Sequence, residues 1–148
     1  MVRRATPEDA DELATLHRAA MNGAMPWLAD LHTPEEDRWF MRDVVLQDEV
    51  WVADVDGRPV GFVALGSRAG AVYLQHLYVL PEHQRHGVGS ELMAHAKAQR
   101  PDGFRLWVFQ RNEGARRFYA KHGLRLVELT DGSGNEEKEP DALYEWAP

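Results

Sequence analysis

Leu77-Tyr78-Val79-Leu80-Pro81-Glu82-His83-Gln84-Arg85-His86-Gly87-Val88-Gly89-Ser90 is the stretch that decides the fold. Ala71 to Leu80 is apolar on both faces, the pattern of a strand covered on both sides near the centre of a sheet, and Pro81 ends it. Val88 to Arg100 then reads as a helix, with Val88, Leu92, Met93 and Ala96 on its buried side and Pro101-Asp102-Gly103 as its stop. A buried strand therefore enters a helix through a turn that holds two glycines. The first N–H groups of a helix have no internal partners and point out of its end, where the dipole favours an anion. Gly87 and Gly89 carry no side chains, so a bulky diphosphate can reach the backbone, and glycine takes angles that other residues avoid. The same glycines suit a strand-to-helix turn that holds no ligand. A nucleotide P-loop is excluded because no Gly-Lys-Ser/Thr follows, and a dinucleotide fold does not fit because Leu92 stands at its third glycine position.

Working outward, Val2 to Ala5 reads as a first strand. Thr6-Pro7-Glu8-Asp9 and Thr33-Pro34-Glu35-Glu36 are capping boxes that open two helices, the first with Leu13, Leu16 and Ala20 inward, the second running to about Leu46. Between them, Met21 to His32 is too apolar for an idle linker and too broken by Gly and Pro to continue one long helix. Val50 to Val55 and Pro59 to Leu65 form a hairpin about Asp56-Gly57, and Gly66 to Gly70 turns into the central strand. Phe104 to Phe109 is a strand, Asn112 caps a helix that Gly123 ends, and Leu124 to Leu129 and Ala142 to Trp146 are the last two strands around a polar loop. The order predicts one α/β domain with a mixed sheet over residues 1–148, with no repeat and no linker.

Composition bounds the function. The 148 residues are 44% hydrophobic and 28% charged, ordinary for a globular domain long enough to bury a core. A formal net charge of -7 argues against broad nucleic-acid binding and fits a cationic substrate loosely, though acidic surfaces mostly serve solubility. With no cysteine, disulfides, thiolate nucleophiles and cysteine zinc sites are excluded. No apolar run is long enough to span a membrane, and no export signal follows Arg3-Arg4, so the expected location is the cytoplasm. The scattered histidines have no metal-ligand spacing, and no metal is expected.

Gln84-x-x-Gly87-x-Gly89 after a strand resembles the coenzyme A signature of the GCN5-related N-acetyltransferase (GNAT) superfamily, Gln/Arg-x-x-Gly-x-Gly/Ala. Leu77-Tyr78-Val79-x-Pro81-Glu82 is similar to the same family, as is Asn112-x-x-Ala115-x-x-Phe118-Tyr119-x-x-x-Gly123-Leu124. The element order matches nearly end to end. The resemblance implies a mixed sheet of six to seven strands flanked by about four helices. It also implies acetyl-coenzyme A as co-substrate and direct transfer, in a ternary complex, to a primary amine of a small molecule or peptide. The backbone of Leu77 and Val79 would pair with the pantetheine arm, lying like an extra strand where two parallel strands splay. The N–H groups of Arg85, His86, Gly87, Val88, Gly89 and Ser90 would cradle the pyrophosphate. Asn112, beside Ala115, would bond pantetheine or cap its helix, and Tyr119 would sit near the sulfur. By analogy a homodimer is an expectation.

Thioester acyl transfer needs a neutral amine, a stabilised oxyanion and a proton for the leaving thiolate. The N–H of Leu77 or Tyr78 suits the oxyanion. Tyr119 suits the proton, since a phenol's pKa of about 10 lies near a thiol's; it also reads as a core residue beside Phe118. For the base, the positions aligned with the glutamates of several relatives are Tyr73 and Trp107, neither a carboxylate. His76 has a suitable titration range but also reads as a packed side chain, and a water relay to His32 or Glu145 is a further option. In this family the first helices wall the acceptor site, which puts Met25, Trp27, Leu28 and Leu31 there or, equally, in the core. Glu136-Glu137-Lys138-Glu139 reads as a solvated loop. Two other functions remain open: a silent acyl-coenzyme A-binding module, and an acyltransferase with another acyl chain or an alcohol acceptor.

Overall fold

The computed structural model describes residues 1–148. Seven strands run β1 (Val2–Arg4), β2 (Glu49–Val55), β3 (Arg58–Arg68), β4 (Ala71–Val79), β5 (Phe104–Phe109), β6 (Arg125–Leu129) and β7 (Asp141–Trp146). Four helices, α1 (Ala10–Ala24), α2 (Pro34–Asp43), α3 (Val88–Gln99) and α4 (Glu113–Lys121), flank them. The sheet order is β1-β2-β3-β4-β5-β7-β6, antiparallel throughout except for β4 beside β5. This is the expected mixed sheet, with β4 at its centre.

Each face of the sheet carries its own core. Ala10, Leu13, Leu16 and Met41 of α1 and α2 pack on Val50, Val52, Phe62 and Ala64. Val88, Leu92, Met93 and Ala96 of α3, with Tyr119 of α4, pack on Val63, Leu65, Leu74, Leu106 and Tyr144. Phe62 and Ala64 face one side and Val63 and Leu65 the other, the period of two that a strand covered on both faces requires. Fully buried side chains such as Phe62, Leu13 and Leu92 each contribute roughly 1.5–3 kcal/mol by leaving water.

Local chemistry sets the boundaries. At Thr33 both halves of the capping box form: Glu36 N–H donates to Thr33 Oγ1 (3.2 Å) and Thr33 N–H donates to Glu36 Oε1 (2.9 Å). Asp56 and Gly57 both take positive φ, +53° and +79°, as a two-residue hairpin turn needs. Two expectations shift. α1 does not break at Met21 but runs to Ala24, because Gly23 sits where a Cβ would come within 2.9 Å of the Pro81 ring. β3 runs past Gly66 to Arg68, and the turn is Ala69-Gly70 alone. Ser67 and Arg68 lie beyond the core, so their polarity hides a ladder that continues to Arg68 opposite Ala71.

Candidate functional site

The site begins with an irregularity in β4. Ala64 stands opposite His76 while Leu65 stands opposite Leu74, so Gln75 is an extra residue, a β-bulge. A bulge bends its strand, and β4 meets β5 in register only at Tyr73 and Arg105. Beyond that point the two parallel strands part. Leu80 N–H donates to Val60 O (2.8 Å), so by strand alternation Tyr78 turns its main chain to β3, while Leu77 and Val79 turn theirs to the gap. Of the two N–H groups considered for an oxyanion, only that of Leu77 faces the opening. The gap widens into a cleft of about 1600 Å³ bounded by β4, β5, the glycine turn, α4, the end of α1 and the β6–β7 loop.

At one end lies the turn. The N–H groups from Arg85 to Ser90 have no acceptor within the protein; the first bonded one is Glu91 N–H, to Gly87 O (2.9 Å). Arg85 (φ +66°) and Gly87 (φ +84°) are left-handed, which gathers these donors into an anion-binding concavity. The glycines are required for different reasons. Gly87 supplies the backbone angle, whereas a Cβ on Gly89 would press to 3.3 Å from the Phe118 ring. The Gln84 side chain is spent locally, donating to Val79 O (3.1 Å), and Ser90 Oγ meets His122 Nε2 (3.1 Å). His86 is exposed and Val88 is buried in the core, and neither side chain lines the cleft. Arg85, Arg117 and Lys121 line this end without ion-pair partners. Sequence reasoning did not name Arg117 or Lys121, although their i,i+4 spacing on the face of α4 shared with Phe118 was there to be read.

Along the far wall, Asn112 Oδ1 accepts from Ala115 N–H (3.3 Å), so Asn112 caps α4 as well as lining the cleft beside Ala115. Tyr119 also lines it, 8% exposed, and its hydroxyl has no partner in the protein. Burial, and then the neighbouring Tyr78 hydroxyl, pushes the Tyr119 pKa upward and holds the phenol protonated.

The other end is walled by Ala20, Ala24 and Met25 from α1 and its exit. Of the four apolar residues expected there, Met25 alone lines the cleft. Trp27 packs edge-on against Phe109 (6.1 Å between centroids) under the Arg111 guanidinium (4.2 Å), bridging to β5 from outside the lining. Leu28 is tucked behind Met25 by its N–H bond to Met25 O (3.0 Å), and Leu31, 48% exposed, faces solvent. His76 lines the cleft within a ring cluster: His17 lies 5.3 Å from it and 4.6 Å from Tyr78, with Phe40 and Phe62 at 5.9 and 6.3 Å from His76. Burial pulls His76 down to about 4 and, with the charge of His76, His17 to about 3; it pushes Tyr78 up to about 12, and the Glu137 charge adds to that. Glu137 itself lines the cleft, on the loop read from sequence as solvated. Nothing local in the sequence marks it, since the loop is shaped by bonds of Asn135 to Glu139 O (2.8 Å) and to Asp141 (3.2 Å).

Comparison with known proteins agrees with this geometry. A family model for an acetyltransferase (GNAT) domain matches residues 47–125. An uncharacterized N-acetyltransferase of Archaeoglobus fulgidus is 33% identical over 152 residues, spanning 91% of this chain and 99% of its own length. The peptidyl-lysine N-acetyltransferase YiaC of Escherichia coli is 32% identical over 89 residues, 60% of this chain and 58% of its own. Among solved structures, apo YjaB of Escherichia coli shares the fold with a TM-score of 0.80 at 23% identity, over 99% of this chain and 96% of that one. The PaiA N-acetyltransferase of Thermoplasma acidophilum, in complex with coenzyme A, has a TM-score of 0.78 at 22% identity, over 100% and 98%.

Proposed function

Because the chain belongs to the GNAT family of acetyltransferases, we propose that it moves an acetyl group from acetyl-coenzyme A directly to a primary amine of a small molecule or peptide, both bound at once. The reading rests above all on the six unpaired N–H groups from Arg85 to Ser90, set beside three free cations at the mouth of a gap between parallel strands. Buried or converging donors of that number call for an anion with several acceptor oxygens. The free N–H groups of Leu77 and Val79 on this edge call for an extended amide-bearing chain. A coenzyme A thioester combines the two, and when bound it supplies the activated acetyl carbonyl. The coenzyme A held by PaiA, on the same fold, supports this choice.

The chain's own groups then divide the work. Leu77 N–H is the donor aimed at charge developing on the carbonyl oxygen. Tyr119 donates from its hydroxyl to the departing sulfur. Because burial raises its pKa, it is a weaker acid than a free phenol, and its contribution is a hydrogen bond that strengthens as the sulfur gains charge, while the thiolate takes its proton from the attacking nitrogen, which loses it as the amide forms. His76 is a wall of the cleft rather than the base: with a pKa near 4 it stands some six units below an alkylammonium at about 10.4, a gap of roughly 8 kcal/mol. The acceptor's proton leaves more readily to water at the open acceptor end. The single domain, the amine acceptor and the ternary complex belong to this proposal.

The test is release of free thiol from acetyl-coenzyme A in the presence of a lysine peptide, a polyamine and an arylamine, with mass spectrometry of each amine. Thiol release that depends on an amine, with one acetyl group gained by that amine, is expected. Bound coenzyme with no amine acetylated above the rate of hydrolysis would reduce the chain to a binding module.

A further inference from the structure

Two adjacent carboxylates of the β6–β7 loop part company. Glu136 turns outward and meets His32 Nε2 (2.9 Å), fastening the loop to the segment between α1 and α2. Glu137 turns inward and lines the cleft on the side of α1, where its charge bears on Tyr78, whose ring lies 4.6 Å from His17 of α1. It makes no hydrogen bond and no ion pair. The nearest cation in sequence, Lys138, is held away from it: its backbone is left-handed (φ +54°) and its ammonium donates to Ser133 O (2.9 Å). The other acids of the cleft are committed or distant. Asp141 accepts from the Thr130 hydroxyl and from Asn135 Nδ2 (3.2 Å), and Glu113 starts α4 on the coenzyme side. The loop is stiffened by Asn135, whose amide bonds Glu139 at both its carbonyl (2.8 Å) and its N–H (3.2 Å). The cleft thus has two electrostatic ends, with Arg85, Arg117 and Lys121 around the glycine turn and one free carboxylate at the far end.

We propose that Glu137 is the acceptor anchor, a carboxylate that receives an alkylammonium group at the cleft and selects such amines over ones that arrive uncharged. The proposal rests on the acetyltransferase reading above and adds the acceptor's charge class and the residue that reads it. Glu137 receives the acceptor as its ammonium; the proton is then lost to water, and the neutral nitrogen attacks the thioester carbonyl. An ammonium–carboxylate bond in a partly enclosed cleft is a strong one, and loss of its charge costs about tenfold or more in affinity. Ala20, Ala24 and Met25 give the same cleft an apolar wall for an alkyl chain behind that ammonium.

The experiment uses Nα-acetyl-lysine methylamide as the cationic probe and 4-methylaniline, uncharged at neutral pH, as its counterpart. Each is titrated into protein saturated with coenzyme A, and each is tested as an acceptor from acetyl-coenzyme A. In Glu137→Gln, which keeps the shape and removes the charge, Kd and KM for the lysine probe rise about tenfold or more. For this variant kcat, coenzyme affinity and the arylamine constants change less than about threefold, and Glu137→Asp recovers part of the loss. Glu128→Gln, which removes the same charge from exposed β6, leaves the lysine probe within about twofold. An unchanged lysine constant in Glu137→Gln, an equal loss for both amines, or no saturable binding of the lysine probe to the wild type overturns the proposal alone. Failure of the wild type to bind coenzyme A overturns the underlying reading and this one with it.

Discussion

At the scale of the residue, Tyr119 concentrates the argument. Its hydroxyl opens onto the cleft with no partner from the protein, which leaves it free to hydrogen-bond a ligand there. Tyr119→Phe fills the same volume and removes only that hydroxyl. It should lower kcat about tenfold to a hundredfold, leave the acetyl-coenzyme A affinity within about twofold, and keep or raise thermal stability. Steady-state kinetics with calorimetric binding checks this, and full turnover would remove Tyr119 from the chemistry. Tyr119, Asn112 and the glycines were legible as residues of the cleft because each holds a fixed place in a helix or turn, where spacing is a guide. Trp27, Leu31 and Glu137 were not. Whether an apolar residue on a broken segment packs outside a cleft, or an acid in a polar loop turns inward, depends on contacts more than a hundred residues apart, such as His32 with Glu136.

At the scale of the element, the order of strands and helices along the chain, the four helices and both capping boxes followed from periodicity and end signals, and they form as expected. The bulge did not follow. No glycine or proline marks Gln75, and the irregularity arises from how β3 and β4 register across a long hairpin. Yet this one residue parts β4 from β5 and turns Leu77 and Val79 to the gap. Amide hydrogen exchange measures that directly. The N–H groups of Leu77 and Val79 should exchange fast in the free protein and slow at least about tenfold with coenzyme A, while Tyr78 and Leu80, bonded to β3, stay protected in both states. Equal protection of all four in the free protein would mean that the gap is closed. The Gln75 amide nitrogen, buried without a partner at the bulge, marks the same spot as one the protein leaves incomplete.

At the scale of the whole molecule, ligand space lies where the topology reverses: parallel β4 and β5 part, with the chain returning through α3 on one side and β7 beyond. The chain carries a formal net charge of -7, yet three unpaired cations and six unpaired N–H groups gather at one end of that space. Net charge alone therefore misleads about this site, because the surface as a whole repels the anion proposed for the turn. No helix of the fold is long and apolar enough to cross a membrane. The central claim is that the turn from Arg85 to Ser90 holds the diphosphate of coenzyme A. Calorimetric titration of acetyl-coenzyme A, with NAD as the comparison and Gly89→Trp as the control, tests it most directly. The account predicts binding in the micromolar range, weakened by added salt, absent for NAD and lost in Gly89→Trp. No binding, or equal binding of NAD, or an unchanged affinity in Gly89→Trp would contradict it.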